Sequence, residues 1–268
     1  MSNIAPFSFV PLPAQRSCDK PRRNGRTMMI DDGLPLGYVA DLLDMAGQYA
    51  DLAKIKTGTA RLYTRDKLLA KLALYRKHQV RSFLGGQFHE YVLATQGEDA
   101  LPAFYQEALA LGFETIEISD NTVPLTREQR MNQIRNAIAS GLTVFGEVGS
   151  KETLNDPALL ISQAHDCFDA GAELVLVEAA ELVDHGKLRG DTIALLKREL
   201  DMSRVMIELP GPWIADVRSC DIESMKKALI AELGPDLNLA NVAADTLIDT
   251  EASRVGLGTA GPGAAARH

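Results

Sequence analysis

Short runs of apolar residues alternate along the chain with longer segments in which apolar residues recur every three or four positions. The short runs are almost continuously apolar at their start, which is typical of strands buried on both faces of a parallel sheet. Most of these runs end in polar or small residues. The pattern predicts strands at residues 27–33, 50–58, 80–86, 115–121, 143–151, 174–181, 204–211 and 237–242.

The segments between the strands have the period of amphipathic helices. In residues 64–78, Leu68, Leu69, Leu72 and Tyr75 fall on one face. Further helices are predicted at residues 39–50, 100–112, 126–141 and 156–171. About eight strands with helices between them most simply form an α/β fold of the (β/α)8 TIM-type barrel class, in a single domain. A doubly wound open sheet is the alternative, and it is disfavoured because no G-x-G-x-x-G motif follows the first strand.

The domain boundaries follow from the same pattern. We expect the barrel to span residues 27–255, with a flexible extension at residues 1–26 and a flexible tail at residues 256–268. The extension has prolines and basic residues but no apolar core before a cleavage site, so we do not interpret it as a signal peptide. The tail is mostly Gly, Ala and Pro, and its GLGTAG stretch has a second interpretation as a phosphate loop.

Composition and charge narrow the possible functions. The chain is 46% hydrophobic and 24% charged, as in ordinary soluble globular proteins. Its formal net charge of -8 argues against a nucleic-acid-binding surface, and no apolar run is long enough to span a membrane. The three cysteines, Cys18, Cys167 and Cys220, are far apart and lack metal-site spacing, which favours a reducing, cytoplasmic compartment.

Charged and amide side chains gather where the predicted strands end, and in a parallel barrel the carboxyl ends of the strands carry the active site. The side chains at or just beyond these ends are Asp31, Lys54, Gln87, Glu90, Glu117, Asp120, Glu147, Lys151, Glu178, Glu181, Glu208 and Asn238. Carboxylates that converge without His or Cys neighbours suit a hard cation such as Mg²⁺. A lysine at a strand end serves as a salt-bridge partner, an anion ligand or a proton donor.

Structural interpretations of the same residues remain open. A single acid at a strand end is more often a helix cap or an ion-pair partner than a metal ligand, whereas lysines and acids at successive strand ends favour a function. Gly85 and Gly86 suit either a tight turn or a close approach of backbone to an anion. Arg254 suits either the surface of the last helix or the site.

The motifs at the strand ends resemble those of the phosphosulfolactate synthase family, from about residue 26 to residue 259. The stretch LGFETIEISDN is similar to the family's G-F-x-x-I-E-I-S-D-G, and DLAKIKTGTA is similar to D-x-x-K-F-G-W-G-T-S. The stretches TMMIDDG, GGQFHE, EVGSK and VEAAE resemble the family's D-x-G turn, G-G-T-x-F-E, E-V-G-x-K and E-A-R-E in the same order. The order and spacing over eight strands make the resemblance specific.

The resemblance implies a Mg²⁺-dependent lyase that adds sulfite to phosphoenolpyruvate, giving (2R)-O-phospho-3-sulfolactate for coenzyme M biosynthesis. It also implies a homo-oligomer, a trimer or larger. On this basis we expect Lys151 to be the general acid. The expected metal ligands are Glu117, Glu147, Asp31 and Glu178. The expected substrate-binding residues are Lys54, Gly86, Gln87, Asn238 and Arg254.

The chain departs from the family pattern at positions that bear on the substrate. Lys56 and Thr57 replace a Gly-Trp pair, Gln87 replaces a threonine, and Ala180 replaces an arginine that would suit a phosphate or sulfonate. Lys56 is a candidate source of the missing charge. Two alternatives to the family reaction follow: a related barrel enzyme that adds another nucleophile to an enolate-type acid, and a non-catalytic relative of the plant heat-stress type.

Overall fold

The computed structural model describes residues 6–12, 16–17, 19–149, 154–184, 187–214 and 216–257. The strands are β1 (Thr27–Asp31), β2 (Leu52–Ile55), β3 (Arg81–Leu84), β4 (Thr115–Ile118), β5 (Thr143–Val148), β6 (Leu174–Glu178), β7 (Val183–Asp184), β8 (Lys187–Leu188), β9 (Val205–Glu208) and β10 (Leu239–Ala243). Strands β7 and β8 form a separate hairpin, and the other eight are parallel and close in the order β1-β10-β9-β6-β5-β4-β3-β2. The predicted single-domain (β/α)8 barrel is therefore confirmed.

Helices surround this barrel. Their bounds are α1 (Leu36–Ala46), α2 (Arg65–Lys77), α3 (Gly86–Gln96), α4 (Leu101–Leu111), α5 (Arg127–Ala139), α6 (Pro157–Asp169), α7 (Gly190–Glu199), α8 (Ser219–Leu233) and α9 (Leu247–Arg254). Helix α3, which the sequence pattern did not predict, follows β3 after a single residue, its N-cap Gly85. Within the described ranges, no helix combines the length and the apolar character that crossing a membrane requires.

The alternation of side chains along each strand produces two apolar layers. Met28 faces the barrel interior and Met29 faces the helices. The interior cluster consists of Met28, Leu52, Phe83, Phe145, Leu174, Leu176, Met206 and Ala240. The rings of Phe83 and Phe145 meet edge to face, with their centroids 5.0 Å apart. The interior is thus filled with side chains, and polar groups at the carboxyl end lie above an apolar core.

The described part of the N-terminal extension packs against the barrel, whereas the sequence predicts a flexible extension at residues 1–26. Arg16 forms a 2.7 Å ion pair with Glu251 of α9, and Arg22 forms a 3.0 Å ion pair with Asp51 before β2. Both arginines are buried. The segment therefore contacts the amino end of the barrel on two sides, while most of the predicted tail lies outside the described residues.

Candidate active site

A polar pocket opens at the carboxyl ends of the strands. It is lined by Ile30, Lys54, Lys56, Thr57, Gly85, Gly86, Gln87, Glu117, Asn121, Glu147, Glu208, Trp213 and Asn241. These residues come from the ends of β1, β2, β4, β5, β9 and β10 and from the segments that follow the strands. The barrel thus brings together, in one place, charged residues that are distant in the sequence.

Three glutamates form the floor of the pocket. Glu117, Glu147 and Glu208 each offer a carboxylate oxygen, and these oxygens lie within 4.8 Å of one another. All three side chains are buried. The Nζ atom of Lys54 lies 2.8 Å from Glu117 Oε2 and 3.1 Å from Glu208 Oε1. One ammonium against three carboxylates leaves the floor with an excess of negative charge.

This crowding shifts the protonation equilibria. Burial raises the pKa of Glu117 to about 8, and the charges of Glu147 and Glu208 add to the rise while Lys54 opposes it. Burial alone would lower the pKa of Lys54, but Glu117, Glu208 and Glu147 together hold it well above its ordinary value. Lys54 therefore remains an ammonium, and the acid cluster still favours a further proton or cation.

The donor atoms around this cluster fit a hard divalent cation. Asn241, the third residue of β10, donates from Nδ2 to Glu208 Oε1 at 2.5 Å. Its Oδ1 atom is buried and has no hydrogen-bond partner in the described part of the chain. Carboxylate and amide oxygens are ligands of hard divalent cations such as Mg²⁺ and Ca²⁺. The residues present thus fit a hard divalent cation.

A buried glutamate organises the loop that follows β4. Glu90, on α3, accepts hydrogen bonds from the backbone N–H groups of Asn121, Thr122 and Val123 and from the hydroxyls of Ser119 and Thr122. Burial alone would raise the pKa of Glu90, but these hydrogen bonds outweigh burial and hold the pKa below its ordinary value. The loop in turn directs Asn121 Nδ2 to Glu147 Oε1, at 2.7 Å.

Two glycines allow the close packing beneath the pocket. A Cβ atom on Gly86 would lie 2.1 Å from Ser119 Oγ and 2.9 Å from Glu117 Oε1. The Gly86 N–H donates to Glu117 Oε1 at 2.9 Å. A Cβ atom on Gly85 would lie 3.2 Å from Lys54 Cε. Gly86 is therefore needed for this close approach, and it orients a carboxylate of the floor, whereas a Cβ atom at position 85 would make only a tight contact with the Lys54 side chain.

Half of the residues expected from the sequence meet in this pocket: Lys54, Gly86, Gln87, Glu117 and Glu147. Lys151, the expected general acid, lies outside the described residues. Glu178 is buried at the end of β6, in register with Glu208, and is not among the residues that line the pocket.

Asp31 belongs to a different cluster. Its carboxylate lies 2.9 Å from Lys71 Nζ and accepts a 2.7 Å hydrogen bond from Tyr75 OH. It also accepts from the backbone N–H groups of Gly33 and Leu34. Asp31 does not line the pocket, and these partners give it a structural role beside the barrel mouth.

Asn238 and Arg254 lie at the opposite, amino end of the barrel. Asn238 Oδ1 accepts from the backbone N–H of Arg26, and its Nδ2 donates to the carbonyl of Val205, the first residue of β9. Arg254 donates to the carbonyl of Leu237 and to the Thr27 hydroxyl. Both side chains therefore bind the start of the strands, away from the acid cluster.

Sequence reasoning missed Asn241 and Trp213, and it noted Glu208 at a strand end without assigning it to the metal. Asn241 lies in the stretch LNLANV, three positions beyond the asparagine that was chosen. Asn241 is the second-last residue of this apolar run, and that position is the signal that could have identified it as a pocket residue. Trp213 lies in the aperiodic stretch LPGPWIAD, where no pattern indicates that the side chain reaches the pocket.

Comparisons with known proteins agree with this architecture. The family model described as (2R)-phospho-3-sulfolactate synthase matches residues 15–259. The chain is 32% identical over 249 residues to a phosphosulfolactate synthase of Methanothermobacter thermautotrophicus, covering 89% of this chain and 91% of that protein. It is also 32% identical over 246 residues to the phosphosulfolactate synthase of Methanocaldococcus jannaschii, covering 88% and 92%.

More distant similarities extend to plants and to other barrels. The chain is 25% identical over 249 residues to the protein HEAT-STRESS-ASSOCIATED 32 of Arabidopsis thaliana, covering 82% of each. Among solved structures, the YdjI aldolase of Escherichia coli superposes with a TM-score of 0.53 at 12% identity, covering 83% of this chain and 77% of that one. That likeness concerns the fold alone.

Proposed function

The chain belongs to the phosphosulfolactate synthase family, and we propose that it catalyses the Mg²⁺-dependent addition of sulfite to phosphoenolpyruvate. The observation that carries the proposal is the buried cluster of Glu117, Glu147 and Glu208 with Lys54 at the carboxyl end of the barrel. As proposed, the protein is a carbon–sulfur bond-forming lyase of the cytoplasm that acts as a homo-oligomer. Its product, (2R)-O-phospho-3-sulfolactate, would enter coenzyme M biosynthesis.

The proposed reaction forms one carbon–sulfur bond. The lone pair on the sulfur of sulfite attacks the methylene carbon of phosphoenolpyruvate, and the electrons of the carbon–carbon double bond move toward the carbon that bears phosphate and its carboxylate. That carbon then takes a proton, which completes the adduct. The protein must therefore stabilise negative charge near the carboxylate and deliver one proton.

The pocket residues suit the first task. Glu117, Glu147 and Glu208 would hold Mg²⁺, with the amide oxygen of Asn241 as a further ligand. A bound Mg²⁺ supplies Lewis-acid stabilisation of developing negative charge. Lys54, which is kept protonated by its glutamate neighbours, adds a fixed positive charge at the same floor.

Lys151 is our candidate for the second task, proton delivery. It follows β5 in the stretch EVGSK, directly beyond the strand that carries Glu147. We expect Lys151→Ala to retain the fold and Mg²⁺ binding while losing turnover. Normal turnover by Lys151→Ala would remove the lysine from this role.

The direct test incubates the purified protein with phosphoenolpyruvate, sulfite and Mg²⁺ and searches for the adduct by mass spectrometry. We expect an adduct that requires all three components. Matched reactions should lack sulfite, lack the metal or contain Glu147→Gln in place of the natural protein. Folded protein that forms no adduct under any metal condition would refute the proposed reaction.

Two observations favour alternatives to the proposed reaction. Ala180 replaces the family's arginine, and the chain is also similar to a heat-stress-associated protein. A related enzyme that uses another nucleophile would bind phosphoenolpyruvate or a close analogue with Mg²⁺ but would not react with sulfite. A non-catalytic relative would show no rise in its unfolding temperature when phosphoenolpyruvate or its analogue is added with Mg²⁺.

A further inference from the structure

A lysine and a tryptophan meet at the mouth of the pocket. Lys56 follows β2, and Trp213 lies in the segment after β9, so the two side chains come from strands that are separated in the barrel by β1 and β10. Lys56 Nζ lies 3.3 Å from the centroid of the Trp213 ring, which is a cation–π contact. Both residues line the pocket. The contact therefore spans the mouth from one side to the other.

The backbone holds both side chains in this arrangement. Thr57 has a φ of 49°, a left-handed conformation that is rare for a β-branched residue. On either side of it, the Lys56 N–H donates to the Asp31 carbonyl at 2.9 Å and the Thr59 N–H donates to the Lys56 carbonyl at 3.2 Å. This loop thus directs Lys56 toward the pocket at a local conformational cost.

The tryptophan is held by close contact with its own loop. The Trp213 ring lies against Gly211, where a Cβ atom would lie 2.1 Å from ring carbon Cη2. Trp213 as a residue is 44% exposed, so burial in the core does not hold its side chain. Only glycine at position 211 permits this ring position, which indicates that the loop is shaped to keep the ring over Lys56.

The charges in the pocket indicate what this pair binds. The floor carries three glutamates and Lys54, so a phosphate dianion is repelled there unless a cation intervenes. The mouth carries Lys56, whereas the Gly86 N–H at the start of α3 already donates to Glu117 of the floor. Positive charge for an anionic group is therefore concentrated at the mouth.

We propose that Lys56 and Trp213 form a clamp that binds the phosphoryl group of the substrate. The identity of the substrate rests on the proposed function. The Lys56 ammonium carries three N–H donors. The face of the Trp213 ring would orient this ammonium so that an N–H donor reaches a phosphoryl oxygen.

Tryptophan fluorescence reports on this clamp directly, because Trp213 is the only tryptophan in the sequence. The Mg²⁺-loaded protein is titrated with phosphoenolpyruvate, inorganic phosphate and pyruvate, without sulfite, while tryptophan fluorescence and binding heat are measured. We expect saturable binding and a fluorescence change with phosphoenolpyruvate and with phosphate. Pyruvate, which lacks the phosphoryl group, should leave the fluorescence unchanged.

Two lysine variants test the residue. Lys56→Ala should weaken binding of phosphoenolpyruvate and phosphate by about tenfold to one hundredfold, because a charge-assisted contact is lost. Lys197→Ala, which removes an exposed lysine from α7, should bind as the natural protein does. Equal unfolding temperatures for the natural protein and both variants will establish that the fold is intact.

The outcomes separate the clamp from the reaction. Lys56→Ala that binds phosphoenolpyruvate within about twofold of the natural protein refutes the clamp, even if the sulfite adduct forms. Pyruvate that produces the same fluorescence change as phosphoenolpyruvate, or an absence of any phosphate binding, also refutes it. Phosphate binding that depends on Lys56 in a protein that forms no sulfite adduct supports the clamp and refutes the proposed function instead.

Discussion

Replacing Glu90 by glutamine tests whether its carboxylate organises the loop after β4. The two carboxylate oxygens divide the loop's donors between them. Oε2 accepts from the Thr122 and Val123 N–H groups and from the Thr122 hydroxyl, whereas Oε1 accepts from the Ser119 hydroxyl and the Asn121 N–H. A glutamine has one acceptor oxygen and one donor group, so it cannot satisfy both sets.

The magnitude follows from the better of the two amide orientations. With its oxygen in the Oε2 position, the glutamine keeps the bonds from Thr122 and Val123, and the Ser119 hydroxyl can rotate to accept from the new amide. The Asn121 N–H then loses its bond to Glu90 and faces another donor. One buried donor that loses its acceptor, together with weaker neutral bonds in place of charged ones, costs about 2–4 kcal/mol.

Urea unfolding at neutral pH measures this cost. The matched control is Glu232→Gln, which makes the same chemical change on an exposed position of α8 and should alter the free energy of unfolding by less than about 0.5 kcal/mol. A loss below about 1 kcal/mol for Glu90→Gln, with an unchanged urea dependence, would show that the carboxylate does not hold the loop.

The pH dependence of the free energy of unfolding provides a second test of the role of Glu90. Glu90 has a lowered pKa in the folded protein, so its ionised form stabilises the fold above the unfolded pKa of about 4.3. That stabilisation is lost as the pH falls through the lower folded pKa. The difference in the free energy of unfolding between the natural protein and Glu90→Gln should therefore shrink below about pH 4.3, and a constant difference would contradict the reasoning.

Three further substitutions test other parts of the architecture. Gly86→Ala places a Cβ atom 2.1 Å from Ser119 Oγ and should lower the free energy of unfolding by about 1–3 kcal/mol in urea, whereas no loss would mean that the loop yields freely. Glu208→Gln should weaken Mg²⁺ binding in calorimetry by at least about tenfold, and unchanged affinity would remove this residue from the metal site. Lys71→Met leaves Asp31 buried without its ion pair and should cost about 3–5 kcal/mol in urea, with a loss under about 1 kcal/mol as the contrary result.

The barrel was predictable because apolar runs alternate with helical segments over most of the chain. The family was predictable because its motifs occur in order at the ends of successive strands. Individual side chains were less predictable. In LNLANV the apolar run does not show where the strand starts, and β10 begins only at Leu239. Asn238 therefore binds the amino end, whereas Asn241, three positions later, reaches the pocket.

Ion-pair partners that are distant in the chain explain a second class of difference. Asp31 ends its strand as Glu117 and Glu147 do, and the sequence gives no reason to separate them. Its partner Lys71 lies forty positions away on α2, and only the packing of α2 beside β1 brings the two together. Strand ends identify which residues are near the mouth but not which neighbour neutralises each one.

The closing seam of the barrel has a consequence for protein synthesis. Strand β1 pairs with β2 on one side and with β10 on the other, and the Arg26 N–H beside this seam bonds to Asn238, 212 residues later. Until the ribosome has released the last strand, β1 presents an open row of N–H and C=O groups that can pair with a neighbouring nascent chain. We therefore expect a product whose synthesis stops before β10 to aggregate more readily than the 268-residue chain.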